Sequence, residues 1–371
     1  MKRENSCPRL LIVAAILIMA FVWLLSIYSE TSQYAHADIQ EKAYLQMQQC
    51  MNAVKQYKAR LNIPIFSYDV CQTGMLGEEF NGITTTMGSL EAKRTTADPN
   101  MAALVVRMLL DAGIKEGDVV CANFSGSFPS LNIAVITACD AMDVQLAYIT
   151  SVGSSTYGAN NPQLTFPEIA DRLFQDGLIS SNSVMVTAGG DGDVGLGMDS
   201  ELLSQIKSRI SQRSLNWFEQ SQYLDNIEAK KALLDRFKPN CFVSVGGNIS
   251  SLGIGIGSDN HPQGVIAPIV DMKIIDDKSG LIDRYLAEGI PVVNLLNIKK
   301  ITAEYAMPFD PMVIEPIGKS PVFHSVGFNR IAIIFSFLLT LSLIMVHTLR
   351  RYKSLIFAKR ESENMLYETD Q

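Results

Sequence analysis

Two uncharged apolar runs lie near the ends of the chain. Between them, hydrophobic positions switch repeatedly between helical and strand-like spacing. Leu10 to Tyr28 holds no charge and one strongly polar residue, Ser26. Ile331 to Leu349 is similar, with Ser336, Thr340, Ser342, His347 and Thr348 as its polar members. A helix of such length, at roughly 1.5 Å per residue, spans the roughly 30 Å hydrocarbon core. A buried core helix rarely stays uncharged for so long, so transmembrane helices are predicted at residues 10–28 and 331–349.

The region between them reads in two parts. Residues 29–98 begin with an amphipathic helix, Asp38 to Leu61, with Ile39, Ala43, Met47, Cys50, Val54 and Tyr57 on one side. The remainder of this lead-in has mixed signals. Residues 99–325 then alternate regularly. Asp98-Pro99 opens a helix to Ala112, with Asp as cap and Pro in the first turn. Strands are predicted at Val119–Phe124, from Val144 (VQLAYITSV), and at Ser183–Thr187, Cys241–Val245 and Pro291–Leu295. Helices fall at Pro129–Ala141, Phe166–Gln175, about 199–213, about 221–237 and Leu281–Ala287. Five short apolar strands separated by helices predict an α/β fold with a mainly parallel sheet covered on both faces. Right-handed crossovers make a doubly wound, Rossmann-like sheet the natural architecture, flanked by an N-terminal and a C-terminal transmembrane helix.

Charge orients this arrangement. Lys2, Arg3 and Arg9 precede the first run, and Arg350, Arg351 and Lys353 follow the second. Positive flanks mark the cytoplasmic face. Residues 1–9 and the tail at 350–371 are therefore expected in the cytoplasm, with two spans in the cytoplasmic membrane and the main domain outside. Ala35-His36-Ala37 offers a signal-peptidase-like alternative to an uncleaved anchor, and either leaves the domain extracytoplasmic. Residues 30–329 carry 22 Lys and Arg against 33 Asp and Glu, a balance of −11. That argues against a nucleic-acid partner, which needs a basic face. An acidic polymer would have to be met at a local site. Cys50, Cys71, Cys121, Cys139 and Cys241 fit neither a zinc spacing nor a dense disulfide framework, although Cys50 and Cys71 are candidates for pairing.

Candidate chemistry sits where ligands bind in such sheets, at the carboxyl ends of the strands. Ser125-Gly126-Ser127 and Ser130, around Pro129, form a turn into a helix whose free N–H groups favour an anion. An ordinary capped turn is the plainer alternative. Ser154 and Ser155 follow the second strand, and Asn248 follows the fourth. Lys93 and Arg94 are an adjacent basic pair able to meet a carboxylate, or else solvated charges beside Glu91. Asp191 and Asp193 in GGDGD are candidate oxygen ligands for a divalent cation such as Mg²⁺ or Ca²⁺, or simple turn residues. A hydrolytic triad would need His261 as base, and no G-x-S-x-G elbow follows a strand.

The stretches TTTMGSLEAKRTTADPN, GSFPSLNIAV, SVGSSTYGANNP and TAGGDGDVGLG, together with a terminal anchor, resemble the poly-gamma-glutamate system protein family. The resemblance covers about Gly82 to Leu196 and, more loosely, the remainder. It implies an accessory membrane protein of bacterial poly-γ-glutamate synthesis or export, whose partners are the synthase and export subunits and the polymer itself. It supplies no catalytic residues. Two other readings stand beside it: an extracytoplasmic, metal-assisted hydrolase or transferase using Asp191 and Asp193, and a non-catalytic scaffold for other membrane subunits.

Overall fold

In the computed structural model, the described residues are 15, 16, 18, 19, 21, 22, 30–213, 215–220, 222–254, 261–268, 275–327 and 330–368. The chain divides into two units. One comprises Met1–Gln33 with His324–Gln371, and the other Tyr34–Phe323. In the first, β1 (Glu30–Gln33) pairs antiparallel with β10 (His324–Gly327). The helix α11 (Arg330–Glu368) also belongs here, and among the described residues it alone is long and apolar enough to cross a membrane, over Ile333–Arg350. It continues without a break through most of the expected tail. The apolar run at 10–28 lies largely outside the described residues.

The second unit begins with α1 (Ala37–Arg60), followed by β2 (Thr84–Thr86), α2 (Leu90–Thr96) and α3 (Asn100–Asp111). The regular alternation then runs through β3 (Val119–Phe124), α4 (Pro129–Ala141), β4 (Gln145–Ser151), β5 (Ser154–Ser155), α5 (Phe166–Gln175) and β6 (Met185–Thr187). After α6 (Ser200–Gln212) and α7 (Tyr223–Leu234) come β7 (Cys241–Val245), α8 (Ile249–Leu252), β8 (Gly264–Ile266), α9 (Leu281–Ala287), β9 (Val292–Leu295) and α10 (Ile298–Glu304).

Six strands form one sheet in the order β6-β4-β3-β7-β9-β8, parallel except for the edge strand β8. This is a mixed α/β unit with a mainly parallel, Rossmann-like sheet. The chain starts in the middle at β3, moves outward to β4 and β6, then returns to build β7 and β9 on the other side. The direction reverses between β3 and β7, which is where such sheets open a crevice.

Helices cover both faces because the strands are apolar on both. Val120, Ala122 and Phe124 of β3 join Tyr148, Val243, Val293 and residues of α1, α3, α4 and α5 in one core. On the other face Cys121, Ala147, Phe242 and Val292 pack with Ile227, Leu281, Ile282 and Tyr285 of α7 and α9. Cys50 and Cys71, the candidates for pairing, are not joined: both are free thiols. Cys50 is buried in the core, whereas the Cys71 sulfur faces the Pro311 carbonyl, so the two chain positions serve separate environments.

Just below the carboxyl ends, the second face turns polar. Asn123, Ser244 and Asn294 stand side by side on β3, β7 and β9, all fully buried. The Asn123 amide donates to the hydroxyls of Ser250 and Ser251 in α8, at 3.1 and 2.8 Å. The Lys230 ammonium donates to Ser250 Oγ at 3.0 Å and forms an ion pair with Asp193, both side chains being completely buried. Thr187 Oγ1 donates to the other Asp193 oxygen at 2.9 Å. One polar chain thus ties β3, α8, α7 and the loop after β6 together.

Removing one member of a buried pair strands the other charge, at about 3–5 kcal/mol. Lys230→Met is therefore expected to lose stability of that order. Lys230→Met combined with Asp193→Asn recovers most of it, since Asn tolerates the left-handed backbone at this position (φ +63°). Thermal unfolding of both variants checks this, and equal losses would contradict the ion-pair account.

Candidate functional site

The loops that leave the carboxyl ends of β3, β4 and β6 touch backbone to backbone. A Cβ on Gly126 would lie 2.9 Å from the carbonyl oxygens of Val152 and Gly153, and one on Gly153 would lie 2.8 Å from the Gly190 nitrogen. On Gly158 it would meet Ser154 Oγ at 2.3 Å and the Ser127 carbonyl at 2.7 Å. Only glycine permits these approaches. Hydrogen bonds fasten the loops further: Ser154 Oγ donates to the Gly126 carbonyl at 3.0 Å, and the Ser155 N–H to Ser127 Oγ at 3.0 Å. Asn132 of α4 holds the Ser125 carbonyl at 2.8 Å.

Above these loops opens a cleft of about 1130 Å³. Its walls come from all five parallel strand ends and from the segment that leads from β2 into α2. Lys93 enters from α2, a helix capped by Ser89, whose hydroxyl accepts the Ala92 N–H at 3.1 Å. The Lys93 ammonium donates to the Ser127 carbonyl and to Ser155 Oγ, the latter at 2.8 Å, and lies 3.7 Å from the centre of the Phe128 ring. Lys93 is 2% exposed. Burial pushes its pKa down to about 7, and no carboxylate among the described residues opposes the shift. Among the described residues, Lys93 Nζ is the one hydrogen-bond partner of the Ser155 hydroxyl.

The sequence candidates separate here. Lys93, Ser125, Ser127, Ser155 and Asn248 line the cleft. Gly126, Ser130 and Ser154 lie beneath its surface and shape the loops. Arg94 points elsewhere: its guanidinium forms a bidentate pair with Asp310, at 2.6 Å to each oxygen. Adjacent helical residues are displaced by about 100°, so only one of the basic pair can face the cleft. Asn248 caps α8, accepting from Ser250, while its amide nitrogen is buried with no partner among the described residues.

The two carboxylates proposed for a cation also part company. Asp191 lines the cleft and accepts the Gly192 N–H at 2.9 Å. Asp193 turns inward to Lys230. Among the described residues, no group of three His, Cys, Asp or Glu is arranged to hold a metal. His261 is bonded to Asp283 at 3.0 Å and does not line the cleft, so it is no base for these serines.

Sequence reasoning missed Gly88, Gln263 and Lys299, which also line the cleft. Gly88 stands directly before Ser155: a Cβ there would come within 2.7 Å of Ser155 Oγ. Lys299 sits exposed at the rim. Lys230, outside the cleft, was missed as well and is buried. Its spacing from Ile227 and Leu234 places it on the apolar stripe of α7, a signal that could have found it.

The lowered pKa of Lys93 has a consequence for stability. The unfolded chain binds this proton up to its ordinary value of 10.5, whereas the folded chain releases it near 7. The unfolded state thus holds more protons above pH 7, and stability rises with pH from there. Lys58, lowered to about 8 by burial, adds to the rise only above that value. Buried thiols such as Cys50 and Cys241, pushed up to about 12, oppose it once unfolded thiols ionise near 9. The melting temperature is expected to climb between pH 7 and 8, and Lys93→Met to flatten that climb. An unchanged slope in the variant would show that Lys93 is not the group responsible.

No protein-family model, curated protein or solved structure matches the chain, and the functional reading rests on the cleft and the sequence that builds it.

Proposed function

We propose that this chain is a membrane-anchored accessory protein of poly-γ-glutamate synthesis or export, and that its cleft binds carboxylates of the polymer. The observation that carries this reading is a convergence. The four stretches that resemble the poly-gamma-glutamate system family each contribute to one cleft: Thr85–Ser89 with Glu91–Lys93, Ser127 and Phe128, Ser151 with Gly153 and Ser155, and Gly189–Asp191. At its floor lies Lys93, a buried cation that no carboxylate among the described residues pairs with. The start of α4 adds a partial positive charge beside the Ser125 and Ser127 hydroxyls, and Pro129 occupies its first turn. A carboxylate seated there satisfies both features.

The anchoring follows the same proposal. α11 supports one span, and the apolar run at 10–28 with the basic flanks supports a second, with both termini cytoplasmic and the cleft domain outside, where it meets the emerging polymer and the synthase or export subunits. The metal-assisted alternative is less well supported, because Asp193 is occupied by Lys230 and leaves Asp191 alone of that pair at the cleft.

Titration calorimetry of the full chain in nanodiscs with γ-linked glutamate oligomers tests the reading. Saturable binding is expected, weakened about tenfold by Lys93→Met, roughly 1.4 kcal/mol. The carboxylates stay ionised near neutrality while Lys93 loses its proton, so affinity falls as pH rises through about 7 and above. Absence of binding, or binding indifferent to both changes, would overturn the carboxylate site.

A further inference from the structure

We propose that the cleft is also catalytic, with Ser155 as nucleophile and Lys93 as its general base, and that the pair hydrolyses an amide bond. The γ-linked glutamyl substrate rests on the polymer reading above, whereas the serine–lysine pair stands on the geometry alone.

Several serines surround the cleft, but their hydroxyls are committed differently. Ser125 Oγ donates to Ser127 Oγ at 3.0 Å, Ser127 Oγ receives the Ser155 N–H, and Ser154 Oγ donates to backbone carbonyls. The Ser155 hydroxyl alone of the four touches a basic nitrogen, at 2.8 Å. Both partners are held from behind. The Ser155 backbone is fixed by Ser127 Oγ, and the lysine by the Ser127 carbonyl and the Phe128 ring. A nucleophile bonded to a base that is oriented by a third group is the arrangement acyl transfer requires. Access is provided by Gly88, whose missing side chain leaves room before the hydroxyl.

The charge state suits the role. A lysine normally remains protonated and cannot accept a proton, but desolvation brings Lys93 to about 7, so the free amine is well populated at neutral pH. Ser155 Oγ attacks the amide carbonyl, forming a C–O bond as its proton passes to Lys93 Nζ. The tetrahedral intermediate then breaks its C–N bond, and Nζ returns the proton to the leaving amine. Water attacks the acyl-serine and gives a proton to Nζ, which passes it to Ser155 Oγ as the ester bond breaks. In the intermediate an ammonium lies beside a newly formed oxyanion, so the buried cation finds its counter-charge at that point.

The test uses the full chain in nanodiscs with three probes: a fluorophosphonate, an uncharged p-nitrophenyl ester, and poly-γ-glutamate followed by chain length and newly released amines. The expected result is labelling of Ser155, ester turnover and polymer shortening, all reduced at least a hundredfold in Ser155→Ala and in Lys93→Arg. The arginine keeps the positive charge and cannot act as base, so it separates catalysis from binding. Ser155→Ala removes a single oxygen and guards against misfolding. Turnover in the wild type rises with pH through about 7, opposite to the affinity for carboxylates. Gly88→Ala is expected to slow labelling by obstructing the hydroxyl. Labelling and ester turnover without action on the polymer would support the pair and overturn the polymer as its substrate. No labelling of Ser155 and no turnover of either substrate, or full activity in Ser155→Ala, would overturn the pair itself.

Discussion

The loops after β3, β4 and β6 meet without side chains between them, and the position of every group in the cleft follows from that contact. Were Gly126, Gly153 or Gly158 to carry a Cβ, the loops would be forced apart, because the nearest atoms at less than 3 Å include backbone in each case. At the observed spacing, the Ser127 carbonyl and the Ser155 hydroxyl are close enough for one amine to bridge them. A larger separation would leave the almost fully buried Lys93 one partner short. The glycines therefore act on the chemistry indirectly, by setting how near two strand ends can come.

Two buried lysines show how differently the fold treats a charge. Lys230 is completely enclosed and matched by Asp193, with Ser250 and Thr187 completing the set, and this pair braces the glycine-rich loop after β6. Lys93 is almost as enclosed but has no carboxylate partner among the described residues, and burial drives its pKa down to about 7. Lys58 is a useful comparison. It too is buried, with its pKa lowered to about 8, but Asp69 and Glu78 pull the other way and its ammonium ends on the Leu76 carbonyl. A buried lysine signals chemistry only where it also faces a cavity, and of these three only Lys93 lines the cleft.

Much of the sheet was legible because its strands are apolar runs bounded by turn residues. The ranges for β3, α4, α5 and β7 were read correctly, as was the crevice at the strand ends. Short pieces escaped. β8 has three residues and β5 two, too few to show a period, and β2 and α2 lay in the lead-in with its mixed pattern. The site itself was half visible. Ser127, Ser155 and Lys93 were each singled out, but the contact between Lys93 and Ser155 joins positions 62 residues apart and depends on how α2 lies over the loops. Nor could the sequence say which of Lys93 and Arg94 faces inward, or that Asp193 would be claimed by a lysine 37 residues away (193 to 230). Local patterns report faces and caps, whereas pairings across the fold are decided by packing.

Net charge bears on how a polymer could be engaged. Residues 30–329 carry a balance of −11, so a polyanion lying along this surface would be repelled over most of its length. Screening at physiological salt limits that repulsion to roughly 8 Å, which leaves a short contact possible and an extended one unfavourable. The cleft, at about 1130 Å³, accommodates a few residues and no long stretch of chain. The buried Lys93 and the start of α4 offer a local reversal of sign in an acidic molecule. Such a distribution favours recognition of a chain end or a single exposed linkage over a tracking groove. It also fits a lysine that alternates between amine and ammonium near neutral pH: the charge is present to receive a carboxylate, and absent when a hydroxyl proton has to be taken.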